Sequence, residues 1–275
     1  MATRSLKALK RLFGSLRAVW SYRGFIQSSV TREFQARYQD SVLGALWTIL
    51  NPLAMILIYT LVFSRVMQTR LPGISSPYAY SIFLMAGLLP WGFFAEILSR
   101  GQSMFLQNAS LLKKVNVPKI CIPAIVIGAS TINFVIVFGL FLVFLVLTNN
   151  FPGWCIWSYL PVLALQILLC LALAMILGVL NVFFRDVGQF FGILIQFWFW
   201  LTPVVYSITI IPAQYQKLFA YNPMTPIILS YQRIFLEHLV PQWETLIPVL
   251  ALAVLLNLLA LRLFQKRAPE MVDEL

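Results

Sequence analysis

The sequence predicts an all-α integral membrane protein with six transmembrane helices, an N-terminal amphipathic interface helix and re-entrant helices between spans five and six. Three observations predict it. The 275 residues are 60% hydrophobic and 11% charged with a mean hydropathy of +0.85, more apolar surface than one soluble core can bury. Apolar stretches of about twenty residues recur, the length a helix needs to cross about 30 Å of hydrocarbon. With both termini inside, sixteen of the Lys and Arg side chains fall in inner segments and four in outer ones, as the positive-inside rule requires. The net charge of +11 therefore reports topology. A nucleic-acid partner is not expected, because the basic residues sit in short connections rather than on a soluble face.

Residues 1–37 read as a cytoplasmic unit. Leu6, Leu9, Leu12, Phe13, Leu16, Val19 and Trp20 share one face of a helix over 3–20, with Arg4, Lys7, Lys10, Arg11 and Arg17 opposite. Such a helix lies on an anionic leaflet, or packs on a partner in the same way. The first forty residues hold no continuous apolar core of a signal peptide, so the N-terminus is expected to stay in the cytoplasm.

The membrane domain, 38–264, follows. Span one begins near Val42 and contains Asn51 and Pro52. Span two runs from about Tyr78 to Leu98 and bends at Gly87–Trp91. At its end Glu96 and Arg100, four residues apart on one helical face, predict a structural salt bridge. The polar connection 99–119 carries Lys113, Lys114 and Lys119, and its spaced leucines predict a short amphipathic docking helix. Spans three (about Cys121–Leu147) and four (about Trp157–Phe184) are joined tightly enough to predict an antiparallel pair.

Span five lies within Asn181–Ser207. It is crowded with Phe190, Phe191, Phe197, Trp198, Phe199, Trp200 and Tyr206, which either face a wide amphipathic substrate or provide lipid-facing bulk. The proline-broken segment 207–244 is too apolar to be solvated, and Thr225–Leu239 is too short to cross. Re-entrant half-helices suit it better than a loose outer loop. Span six runs from about Leu246 to Phe264, and 265–275 forms a cytoplasmic tail.

The chemistry of the chain is sparse. Cys121, Cys155 and Cys170 have no metal-site spacing, and no HExxH, GxSxG or phosphate-binding GxxxxGK[ST] motif occurs. A membrane transferase would have only His238, Glu237 and Glu244 to work with, and His238 reads better as an interfacial residue. Charges cluster at span ends rather than in mid-span, which argues against an ion-driven carrier. These features point to a pore, or to a permease driven by a separate motor.

Five segments in order carry a resemblance across nearly the whole chain: residues 32–63, Gly87–Phe94, Asn108–Pro123, Asn181–Phe190 and Asn222–Ile228. They resemble the ABC-2 type permeases that export bacterial surface polysaccharides, most closely the transmembrane subunits of O-antigen exporters, and then those of capsule and teichoic acid export. The resemblance implies a homodimer in the bacterial inner membrane with two copies of a nucleotide-binding ATPase that binds the ATP and Mg. No cofactor or catalytic site is then needed in this chain. It also implies an interface helix at 3–20, ATPase docking through 99–119, re-entrant helices over 207–244, and a substrate polysaccharide on undecaprenyl diphosphate.

Aromatic faces suit a sliding glycan. The candidates for its path are Tyr38, Trp47, Tyr59, Phe197, Trp198 and Trp200, with Trp91 beside them. Arg32, Arg37 and Arg185 are candidates for the lipid diphosphate at the inner mouth. Gln102, Leu111, Leu112, Lys113, Lys114 and Lys119 are the candidates for docking the ATPase. Contacts with lipid headgroups are the competing role for the charged residues.

Overall fold

A computed structural model of the chain describes residues 20–36, 46–62, 78–114 and 118–274. The interface helix predicted over 3–20 lies outside them except for Trp20, as do Arg37, Tyr38 and the side chains of Tyr59 and Lys114. Among the described residues the structure is helical. The principal elements are α1 (Arg23–Ala36), α2 (Trp47–Tyr59), α3 (Ala79–Gln107), α4 (Ala109–Lys114), α5 (Cys121–Leu147), α6 (Tyr159–Phe183), α7 (Asp186–Trp200), α8 (Ala213–Ala220), α9 (Met224–Gln232), α10 (Trp243–Arg267) and α11 (Met271–Glu274). Among the described residues four helices are long and apolar enough to cross a membrane: α3, α5, α6 with its leading turn from Gly153, and α10. This makes the chain a multi-pass membrane protein. α7, at 15 residues, rises only about 22 Å.

α3 and α6 form the centre. The apolar stretch of α3 is 72% buried inside the chain, against 22% for α5 and for α10, which flank the central pair on the outside. Small residues let the two central helices approach closely. A Cβ added at Gly101 would stand 2.5 Å from the Ala174 Cβ, and one added at Gly178 would stand 2.7 Å from the Gly101 carbonyl oxygen. Between helices already solvated by apolar lipid, such close backbone contact is what dispersion can exploit. α5 packs on α3, α10 on α6, and α1 and α2 on α5.

Two features differ from those the sequence suggested. Helix α3 continues through residues 99–107 because Gly101, Met104 and Phe105 are buried, Phe105 stacking on Phe264 with ring centroids 5.8 Å apart. Only Ala109–Lys114 remains as a separate short helix of the expected connection. Asn181 falls in α6, within the limits read for span four, and the next helix begins at Asp186. Helices α5 and α6 meet mainly near their connection, where Phe138 stacks on Tyr159 at 4.2 Å, and α3 is a major neighbour of both.

Buried polar side chains bind the backbone. Gln166 donates to the Pro90 carbonyl (2.7 Å) and accepts from the Tyr231 hydroxyl (2.7 Å); Asn257 donates to the Leu168 and Ala253 carbonyls, both at 2.8 Å. In an apolar surround, unpaired groups at these positions would be costly.

Gly178→Val drives a side chain into the Gly101 carbonyl. It is expected to cost on the order of 2 kcal/mol, read as a lower melting temperature in detergent. Gly192→Ala, with nothing within 4 Å of its added Cβ, serves as the control. Equal melting temperatures for the two variants would show that the α3–α6 contact is not tight.

Candidate functional site

Helix α7 has two unlike faces. Phe191 is buried, and Ile195, Trp198 and Phe199 pack against the core. Phe190, Ile193, Leu194, Phe197 and Trp200 recur at spacings of three and four on the other side, and there Phe190, Phe197 and Trp200 are 67%, 65% and 64% exposed. An apolar aromatic face of this kind has no partner among the described residues.

Two asparagines hold α7 in place, one at each end. Asn222 Oδ1 accepts from Trp198 Nε1 (2.8 Å) and from the Met224 amide (3.0 Å). Its Nδ2 donates to the Leu201 carbonyl (2.9 Å) and the Thr202 hydroxyl oxygen (2.8 Å). The end of α7 and the start of α9 are thereby tied together, with the Trp198 ring edge-on to Phe94 at 5.2 Å. At the other end Asn181, 5% exposed, accepts from the Gly188 amide (3.0 Å) and donates to the Gln102 carbonyl (2.9 Å). The turn between α6 and α7 is thus locked onto α3, and Arg185 and Asp186 project from it, exposed.

Trp198 therefore faces inward while Phe197 and Trp200 face outward. Trp47 is exposed on α2. Trp91 is buried, 5.6 Å from Phe199. Arg32 and Arg185 are both exposed, on α1 and at the α6–α7 turn.

Of the docking candidates, Leu111 is half-buried, Leu112 packs against the core cluster around Phe105 and Met271, and Lys113 is exposed beside it. Lys119 donates to the Ala268 carbonyl. Gln102 sits on α3 at the α6–α7 turn, its Oε1 buried and without a hydrogen bond. Lys113, Lys119, Arg185 and Arg267 gather at the end of the bundle where α3, α6 and α10 finish.

Arg100 is the hub of a half-buried network. It pairs with Glu96 (3.4 Å), with Glu33 of α1 and with the Ser130 hydroxyl (3.1 Å), and Glu96 also accepts from Asn133 (2.9 Å). Every charge here has a partner and the network joins α1, α3 and α5, which fits a structural tie. His238 is exposed in the left-handed region (φ 58°), where its carbonyl accepts from the Cys155 thiol (2.9 Å).

Sequence reasoning missed Asn222, Asn181 and Glu33 as organising residues. For Asn222 the available signal was its place just before a proline and a short helix, where Asn side chains commonly bind backbone amides.

Comparison with known proteins matches residues 25–236 to the ABC-2 type transporter family. The chain is 35% identical over 262 residues to the O-antigen export system permease protein RfbA of Myxococcus xanthus, covering 94% of this chain and 98% of that one. It is 29% identical to the protein of the same name from Klebsiella pneumoniae, over 86% and 88% of the two chains. It is 26% identical to the polysialic acid transport protein KpsM of Escherichia coli, over 74% and 78%.

Replacing Asn222 by Leu removes four hydrogen bonds and is expected to cost about 2–4 kcal/mol. Trp198→Phe should then cost less in the Asn222→Leu background than in the wild type, measured as a double-mutant cycle on thermal unfolding. Strict additivity would mean that Asn222 does not anchor Trp198.

Proposed function

Because the chain belongs to the ABC-2 type transporter family, we propose that it is the membrane-spanning permease subunit of an ATP-driven exporter of O-antigen polysaccharide linked to undecaprenyl diphosphate. The observation that carries the reading is the exposed aromatic face of α7, held rigid at both ends. A glycan too long to be enclosed needs a continuous wall it can slide along. Aromatic faces supply contact area with few fixed hydrogen bonds to break at each step. Phe197 and Trp200, with Trp47 on α2, form the wall in this proposal; Tyr38 and Tyr59 extend it, and Trp198 acts beneath it as the anchor.

A half-wall needs its counterpart, so the working unit is a homodimer with the α7 faces turned toward a shared path. Two copies of a separate ATPase bind ATP and Mg and supply the energy. Leu111, Leu112, Lys113 and Lys114 form the docking point. The gathering of basic residues at one end of the bundle supports placing that end, and both termini, in the cytoplasm of a bacterial inner membrane. Arg32, Arg37 and Arg185 receive the lipid diphosphate there as charge-assisted donors.

Six crossings follow if α2 with its flanking residues is the first and α7 with residues 201–206 the fifth. Residues 204 and 205 run beside Gly87 and Tyr80 toward the opposite end of the bundle. Segment 207–244 is re-entrant in this scheme. Its support is that α9 starts just after Asn222, level with Phe94 midway along α3, and climbs past Gln166 to Tyr159 at the start of α6.

Deletion of the gene is expected to abolish surface polysaccharide while lipid-linked chains accumulate inside the cell, with the wild-type gene restoring export. Restoration by Phe197→Ala/Trp200→Ala should fall by about tenfold with the ATPase still co-purifying, as for two lost aromatic contacts of roughly 0.5–1.5 kcal/mol each. Full export by that variant would remove the aromatic wall from the mechanism. Charge reversal at Lys113 and Lys114 is expected to lower ATPase co-purification and export together, and normal values for both would place docking elsewhere.

A further inference from the structure

A cavity of about 640 Å³ opens between α3, the start of the 3-10 turn Ile208–Ile210, α8, α9, the π-helical turn Arg233–Glu237 and the first turns of α10. The volume lies within the roughly 300–1,000 Å³ range of small-molecule sites. It lies away from the exposed face of α7.

Two wall residues carry buried polar hydrogens with no partner among the described residues. Thr225, 2% exposed, has a hydroxyl without a hydrogen bond, and so does the Nε–H of Arg233. The anion paired with Arg233 is Glu237, whose Oε2 is 3.8 Å from that nitrogen and beyond hydrogen-bond reach. Leaving a buried donor unsatisfied costs about 1–3 kcal/mol, which a rotation of either side chain toward a ligand in the cavity relieves.

The charge pattern selects the ligand. One cation stands beside one anion, so an anionic ligand meets Glu237 and a cationic one meets Arg233. The rest of the polar wall among the described residues, including Gln216, Gln242 and Thr245, is neutral. A neutral polyhydroxyl compound fits both halves, because each hydroxyl donates to the carboxylate or accepts from the guanidinium. The apolar parts of the wall, Phe83 and Leu236 among them, suit the C–H face of a sugar ring.

We propose that this cavity is a second glycan-binding site, taking a short run of uncharged sugar rings from the passing polysaccharide where segment 207–244 meets α10. The proposal rests on the polysaccharide reading above. Holding a few rings there would resist backsliding of the chain between strokes of the motor.

The test is photo-crosslinking in export-active cells, with p-benzoylphenylalanine replacing Gln242 at the cavity, Trp200 on the α7 face, or Tyr215, an exposed α8 residue outside the cavity wall. Glycan stain on the purified protein is expected at Gln242 at about ten times the Tyr215 level. Thr225→Val or Arg233→Gln, combined with the Gln242 probe, should reduce it about tenfold, as for a lost hydrogen bond to a charged or buried partner. Glycan adducts at Trp200 but not above the Tyr215 level at Gln242 would overturn the cavity proposal and leave the export reading standing. Phospholipid adducts alone at Gln242 would also overturn it. Surface polysaccharide that persists in cells lacking the chain would overturn both.

Discussion

The four hydrogen bonds of Asn222 are the interaction on which the exposed aromatic face depends. Helix α7 stops at Trp200, and its end leaves carbonyls without helical partners. In water those carbonyls would be solvated. Here one amide side chain takes the Leu201 carbonyl and the Thr202 hydroxyl on one side, and the Trp198 indole and the Met224 amide on the other. The helix thus ends in mid-bundle at a defined rotation, and that rotation points Phe197 and Trp200 outward. Asn181 does the same at the start of the helix through Gly188 and Gln102.

The scaffold behind this helix obeys the same rule. Where lipid is as apolar as leucine, burial alone gives helices little reason to associate, and α3 and α6 use Gly101, Ala174 and Gly178 to gain backbone contact. Polar groups in the interior are few and spent on carbonyls, as with Gln166 on Pro90, or on one another, as with Arg100, Glu96 and Glu33. A few groups depart from this economy, among them Gln102 Oε1, the Tyr159 hydroxyl and two donors beside the Arg233 cavity, which have no hydrogen bond among the described residues.

Much of the architecture was legible in the chain. Hydrophobic length located the four long helices to within a few residues at most ends, because a run of apolar side chains in a membrane has few alternatives to a helix. The spacing of Glu96 and Arg100 foretold their pairing, since residues four apart on a helix are neighbours whatever surrounds them. The apolar yet proline-broken stretch 207–244 did fold into short packed helices. The polar look of 99–107 misled, because Gly101 and Gln102 are read as loop residues until α6 is set against them.

What the sequence by itself determined was the solvent this protein folds in and the course of the four long apolar helices among the described residues. Those follow from composition and local spacing. Only the tertiary structure decided that Trp198 turns in while Phe197 and Trp200 turn out, that Glu33 reaches Arg100, and that Asn222 closes the end of α7. Each joins residues far apart in the chain or depends on the rotation of a helix that is apolar all round, and in such a helix hydrophobic periodicity carries no signal for which face is buried.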